Sequence, residues 1–181
     1  MILKPDDNWL WKIDNKSSQL TLELGDDLVF QPYLNRKKMV PFYQTEQPFS
    51  VDDAAIYYQL LDQLSPQDLA SAVKVYWILN AITAIRFHKP MMPQSWFFKT
   101  QPQFYQASQG ELISLTCNAG HSARYLVLES NSQITLCMLV EPQHIFSQHK
   151  TLQQFDVIKV MNDRVACLHA SDADLEDRAS A

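Results

Sequence analysis

The amino-acid sequence predicts an α+β protein: an N-terminal α/β domain of short antiparallel strands plus two helices, followed by a small C-terminal β-barrel-like domain. Three observations predict it. Apolar residues alternate in short runs before residue 33, recur at helical spacing between residues 51 and 85, and return after residue 111 to short runs divided by turn signals. The 181 residues, 46% hydrophobic and 19% charged, suffice for one large domain or two small ones that each bury a core. The expected division is an α/β domain at 1–97, a barrel-like domain at 98–170 and a disordered acidic tail at 171–181.

Taken in order, Trp9, Trp11 and Ile13 alternate, Asn15-Lys16-Ser17-Ser18 makes a polar break, and Leu20, Leu22 and Leu24 alternate again. A second break at Gly25-Asp26-Asp27 precedes Leu28-Val29-Phe30, so the segment reads as a small antiparallel meander. Arg36-Lys37-Lys38 with Pro41 and Pro48 reads as an irregular connection. Ser50 is a good N-cap with Asp53 three residues on, and Val51, Ala54, Ala55, Tyr58, Leu61 and Leu64 follow at helical spacing. Ser65-Pro66 repeats the start signal with proline at the first helical position, and a second helix is expected from there to the stop at Lys89-Pro90. Its apolar residues, from Leu69 through Ile85, cover nearly every side, which marks a central element packed on several faces. Beyond Trp96-Phe97-Phe98 the strand candidates are Leu112–Cys117, Arg124–Glu129, Ile134–Val140, Phe155–Met161 and Arg164–His169. That many short strands suggest a small barrel or rolled sheet.

Composition excludes several function classes. Three glycines are far below the average of about 7%, so no glycine-rich loop exists to cradle a phosphate, against an NTPase or dinucleotide fold. Fifteen Lys and Arg against twenty Asp and Glu give a net charge of −5, which repels nucleic acid. The start Met1-Ile2-Leu3-Lys4-Pro5-Asp6-Asp7 lacks the basic-then-apolar order of a secretory signal. The longest apolar run, Val75 to Ile85, falls short of the roughly 20 residues that span a bilayer. Cys117, Cys137 and Cys167 are odd in number and sit in apolar surroundings, as reduced core thiols do. The expectation is a cytoplasmic protein with no membrane anchor.

Catalytic patterns are weak. Asp6-Asp7, Asp26-Asp27 and Asp52-Asp53 read as turn and helix-start residues. No His or Cys pair has metal-ligand spacing, no local signature marks a cysteine nucleophile, and no Gly-x-Ser-x-Gly elbow exists. No cofactor or metal is expected. The informative feature is electrostatic: residues 69–110 contain no Asp or Glu but carry Lys74, Arg86, Lys89 and Lys99, interleaved with Trp96, Phe97, Phe98, Phe104 and Tyr105. A basic rim around an aromatic centre suits docking to an acidic protein surface, while the bland alternative is that these aromatics are core.

The motifs Lys4-Pro5-Asp6-Asp7-Asn8-Trp9, Val51-Asp52-Asp53-Ala54-Ala55, Leu79-Asn80-Ala81 with Ala84-Ile85-Arg86, Lys89-Pro90 with Met92-Pro93 and Ser95-Trp96, and Ile158-Lys159 with Met161-Asn162-Asp163-Arg164 occur together and in order. In that combination the sequence resembles the ZapC family, Z-ring-associated cell-division proteins of gammaproteobacteria. The resemblance implies a non-enzymatic, monomeric, two-domain protein. It implies binding to the folded domain of FtsZ, the tubulin-like division GTPase, through apolar pockets with basic surroundings, and lateral bundling of its protofilaments at mid-cell. The candidate partner-binding residues are the cations Arg86, Lys89, Lys159 and Arg164, with Trp9, Leu22 and Trp96 as apolar candidates. Two other readings compete: a nucleotide or anion module built on Arg124, Lys159 and Arg164 of the barrel, and a Cys–His hydrolase.

Overall fold

The computed structural model describes residues 2–14, 16–42 and 44–168, and the expected acidic tail lies outside the described residues. The chain divides into two compact units, Met1–Pro90 and Met91–Ala181.

In the first unit, β1 (Leu10–Ile13), β2 (Leu20–Glu23) and β3 (Val29–Phe30) form the expected antiparallel meander, joined by β4 (Glu46–Pro48) in the sheet order β3-β2-β1-β4. The alternation dictates the buried face: Trp11 pairs with Leu22 across β1 and β2, and both are fully buried. The β2–β3 turn needs left-handed backbone at Gly25, Asp26 and Asp27 (φ +82°, 48° and 61°). Glycine adopts that conformation freely and aspartate tolerates it. Sequence reading missed β4 because three residues ending in proline show no alternation; on a sheet edge a proline is tolerated, since its missing N–H breaks no interior ladder.

Helix α1 (Val51–Leu64) begins at the expected Ser50, whose hydroxyl accepts from Asp53 N at 3.1 Å while the Asp53 carboxylate accepts from Ser50 N at 2.9 Å. Its buried stripe is Asp53, Tyr57, Leu60 and Leu64; of the expected Val51, Ala54, Ala55, Tyr58, Leu61 and Leu64, the last is buried and the others are not, so the face is turned by about one residue. Paired apolar residues at Tyr57-Tyr58 and Leu60-Leu61 make the phase ambiguous in sequence. Trp9 settles it, packing edge-on against Tyr57 and Phe49 at 5.9 and 5.0 Å.

Helix α2 (Ser71–Phe87) is buried on nearly every side from Trp77 to Ala84, as the apolar residues around its circumference require. Its start is a correction to the sequence reading: Ser65 is the C-cap of α1, and residues 65–70 form the connection. A chain that reverses to pack α2 against α1 needs those residues as a loop, and Ser65 N and Gln67 N close it by donating to Asp62 O and Leu64 O. The start signal at Ser65-Pro66 is therefore overridden by the turn.

In the second unit, β5 (Leu112–Thr116), β6 (Ser122–Ser130), β7 (Ile134–Leu139), β10 (Val157–Met161) and β11 (Ala166–Cys167) form an antiparallel sheet in the order β10-β7-β6-β5-β11. The strand-only half is as expected. Among the described residues its pairing stays open, with β10 and β11 as edges, so the barrel resemblance is loose. A separate hairpin of β8 (Gln143–Ser147) and β9 (Lys150–Gln153) escaped sequence reading, because its buried positions are His144, Phe146 and Leu152 while Ile145 is exposed. Phe146 and Leu152 join Phe98, Ile113, Leu115, Tyr125, Val127 and Ile158 in one core. Cys117 and Cys137 are buried free thiols and Cys167 is half-buried.

Candidate partner-binding surfaces

Trp9 and Leu22 are core residues, 1% and 0% exposed. Leu22 pairs across the sheet with Phe30, which lines an apolar groove of about 330 Å³ between β3 and α2 together with Leu24, Leu28, Val29, Val75 and Tyr76. Leu28 and Val29 are 52% and 54% exposed, so apolar surface open to a partner lies above Leu22 rather than at it. A polar cleft of about 590 Å³, lined in part by Gln19, Gln31, Tyr33, Arg36 and Tyr76, lies in the same unit.

Arg86 is not a free rim cation. It pairs with the buried carboxylate of Asp53, and its guanidinium also donates to Gln47 Oε1 at 3.0 Å and Pro48 O at 3.2 Å. Trp11 Nε1 donates to the same Asp53 oxygen at 3.2 Å, so one carboxylate ties β1, α1 and α2 together and Arg86 extends the link to β4. This fits Asp53 as a helix-start residue, and it commits the charge of Arg86 inside the unit.

Lys89 is exposed, and its place in the fold was not visible in the sequence. The bridge between Met39 and His88, with Lys89 N donating to Lys38 O at 2.8 Å, seats it against the Arg36–Lys38 turn. Its ammonium donates to Lys37 O at 3.0 Å. Four cationic residues thus share one region, although 51 positions separate Lys38 from Lys89. The run Arg36-Lys37-Lys38 was the available signal; its neighbour was not.

In the second unit the structure brings Trp96, Lys159 and Arg164 together. A 3-10 turn at Ser95–Phe97 carries Trp96, which is 63% exposed. Gln94 N donates to Lys159 O at 2.7 Å, Met161 N to Ser95 Oγ at 2.7 Å, and Arg164 Nε to Ser95 O at 3.2 Å. Arg164 also pairs with Asp163 at 2.6 Å, so its charge too is partly offset. Asn162 is fully buried, donating to Asn131 O at 2.7 Å and accepting from Thr135 Oγ1 at 2.7 Å; this part of the Met161–Arg164 motif builds the scaffold under the turn. Of the aromatics in the acid-free stretch, Phe98 is core, Phe97 and Tyr105 pack against that core, and Trp96 and Phe104 remain exposed.

The competing chemistries find little here. Arg124 is paired to Glu141 at 2.9 Å, Arg164 to Asp163, and the cavity beside Lys159 holds about 120 Å³, small for a nucleotide. Burial holds the Cys137 thiol far above its ordinary range, which disfavours the thiolate a nucleophile needs. His144 is buried, accepting from or donating to Tyr125 OH through Nδ1 at 2.7 Å and meeting His121 O through Nε2 at 2.9 Å. Burial moves its pKa below the ordinary 6.5, so the neutral ring that this pair of contacts suits is favoured. Among the described residues no group of three or more His, Cys, Asp or Glu is placed to hold a metal, and no helix is long and apolar enough to cross a membrane.

Fold and surfaces together define a two-unit α+β protein with exposed cationic and apolar side chains among its surface residues. Family models for the cell-division protein ZapC match both halves, the N-terminal model over residues 2–89 and the C-terminal model over residues 90–171. The Aeromonas hydrophila cell division protein ZapC is 40% identical over 167 residues, 92% of this chain and 93% of the relative. The proteins of that name from Photobacterium profundum (36% over 165 residues, 91% and 92%) and Vibrio cholerae (37% over 166 residues, 91% and 92%) are similar over nearly the same span. The chain belongs to the ZapC family of cell-division proteins.

Proposed function

We propose that this protein binds the folded domain of FtsZ and promotes lateral bundling of its protofilaments at the mid-cell ring, acting as a monomeric, non-enzymatic adapter. Family membership supports the division role. The observation that carries the rest is that each unit bears its own cationic region: Arg36, Lys37, Lys38 and Lys89 in the first, where Arg36 lines a cleft with the exposed Tyr33 and Tyr76, and Lys99 and Lys159 in the second, where Lys159 O is bonded to the turn that carries the exposed Trp96. Bundling needs two contact faces, and a filament offers identical sites in series, so weak contacts gain avidity with every further copy. FtsZ is acidic; cations on a docked adapter lower the repulsion between neighbouring filaments within a Debye length of about 8 Å at physiological salt.

Sedimentation of assembled FtsZ with and without the protein, at two salt concentrations, tests this reading. Co-pelleting and an increase in bundled polymer are expected at low salt, both falling as salt rises. Filaments that leave the protein in the supernatant at low salt would refute it.

A further inference from the structure

Part of the first unit carries the opposite charge to its cationic region. Residues 39–73 contain no Lys, Arg or His but include Glu46, Asp52, Asp53, Asp62 and Asp68. Two of these carboxylates are committed, Asp53 to Arg86 and Glu46 to Lys12 at 3.5 Å. Asp52, Asp62 and Asp68 are exposed, and among the described residues no cation pairs with them.

Helix α1 holds two of these free carboxylates beside apolar surface. Its inner stripe buries Tyr57, Leu60 and Leu64, yet a second set of apolar residues points away from the core: Val51 is 86% and Tyr58 43% exposed, Ala55 is exposed and Leu61 half-buried. Val51, Ala55, Tyr58 and Asp62 follow one another at four, three and four residues, so they are neighbours along one outer face about 17 Å long. Asp52, three residues before Ala55, borders the same face. The helix beneath is well seated. Its first turn is closed by the capping box of Ser50 and Asp53, and Tyr57 donates its hydroxyl proton to Leu3 O while meeting the Tyr58 ring edge-on at 5.7 Å.

We propose that the outer face of α1, with Val51, Ala55 and Tyr58 bordered by Asp52 and Asp62, docks a cationic amphipathic helix of another protein. Scattered apolar residues on a surface need no explanation, but a row at this spacing is how one helix lies along another or in a groove. Charge selects the occupant. Unpaired carboxylates repel an acidic filament, a nucleic acid and an anionic membrane surface, and they attract a segment whose apolar stripe is edged with Lys or Arg. A symmetric pairing of two copies through this face would set the same carboxylates against each other. The contact does not depend on the FtsZ reading, and it leaves the cationic regions uncovered.

The probe is a fluorescent helical peptide of Leu and Lys alone, its leucines at helical spacing, titrated into the full chain at low salt and read by anisotropy. Tyr58→Ala should weaken binding about fivefold or more, and Asp52→Asn with Asp62→Asn by a similar factor. Ala55→Arg removes no contact and should do the same with an unchanged melting temperature, which separates lost docking from lost folding. Asp172→Asn with Asp174→Asn, carboxylates outside the described residues, should leave the affinity as it is. Wild-type protein that ignores the peptide, or α1 variants that bind it like the wild type, overturn the proposal. Equal binding of a peptide with Ser in place of every Leu overturns it too, since charge alone would then suffice. If Ala55→Arg abolishes FtsZ co-pelleting, the face belongs to the filament contact; if it abolishes a dimer seen by sedimentation equilibrium, the occupant is a second copy. Either result overturns the choice of a basic partner.

Discussion

Replacing Arg86 with alanine would leave the Asp53 carboxylate, 5% exposed at its side chain, without the guanidinium that pairs with it. The remaining donors are Ser50 N at 2.9 Å and Trp11 Nε1 at 3.2 Å. Removing one member of a buried pair costs about 3–5 kcal/mol, because the other charge stays desolvated. Arg86 is 23% exposed, so water can enter the vacated space and the lower end, about 3 kcal/mol, is the expected loss. For a chain of this length each kcal/mol lowers the melting temperature by about 2–4 °C, which gives a drop of about 6–12 °C. Thermal and urea denaturation measure it. Adding Asp53→Asn to Arg86→Ala should recover part of the loss, since the neutral amide removes the uncompensated charge, and a double-mutant cycle reports the coupling. If Arg86→Ala melts within about 0.5 kcal/mol of the parent, the pair does not hold the unit together. Loss of FtsZ co-pelleting in such a stable variant would then return Arg86 to the partner surface.

Lys89→Glu and Lys159→Glu should each reduce FtsZ co-sedimentation about three- to tenfold and steepen no thermal transition, because both cations lie at the surface or half-buried on it; unchanged pelleting rejects their assignment. Leu22→Ala should cost about 2–5 kcal/mol by opening a cavity between Trp11 and Phe30, and any binding defect should track the unfolded fraction; a stable variant with lost binding would contradict a purely structural role. For His144, burial depresses the folded-state pKa below 6.5, so the unfolded chain binds this proton first as pH falls. Its contribution to stability is complete above about pH 6.5 and declines below that toward the folded value, and His144→Gln should flatten the decline. A pH–stability profile identical in the two proteins would show that the ring does not titrate on unfolding.

Much of the fold was legible because it rests on local patterns. The alternation at Trp11 and Leu20–Leu22, the capping box at Ser50 and Asp53, and the encircling apolar residues of α2 each act within one or two turns of chain. The misreadings share a different origin. Ser65-Pro66 has the chemistry of a helix start, yet the reversal between α1 and α2 uses it as a turn. The hairpin of β8 and β9 buries a histidine and exposes an isoleucine, so hydropathy alone points the wrong way. The candidate site was half visible: residue types and the acid-free stretch marked Lys89, Lys159 and Trp96, whereas Lys37 and Lys38 gained significance only from what the fold set beside them.

By itself, then, the sequence determined the meander, the two helices and the main strands of the second half, and family membership, because periodicity, caps and motif order are properties of neighbouring residues. Tertiary structure alone decided which charges are available. Arg86 and Lys89 lie three residues apart, yet one is bound to a buried carboxylate and the other faces solvent. Whether a cation is committed or free depends on which distant carboxylate the packing brings within a few ångströms, and no local pattern encodes that distance.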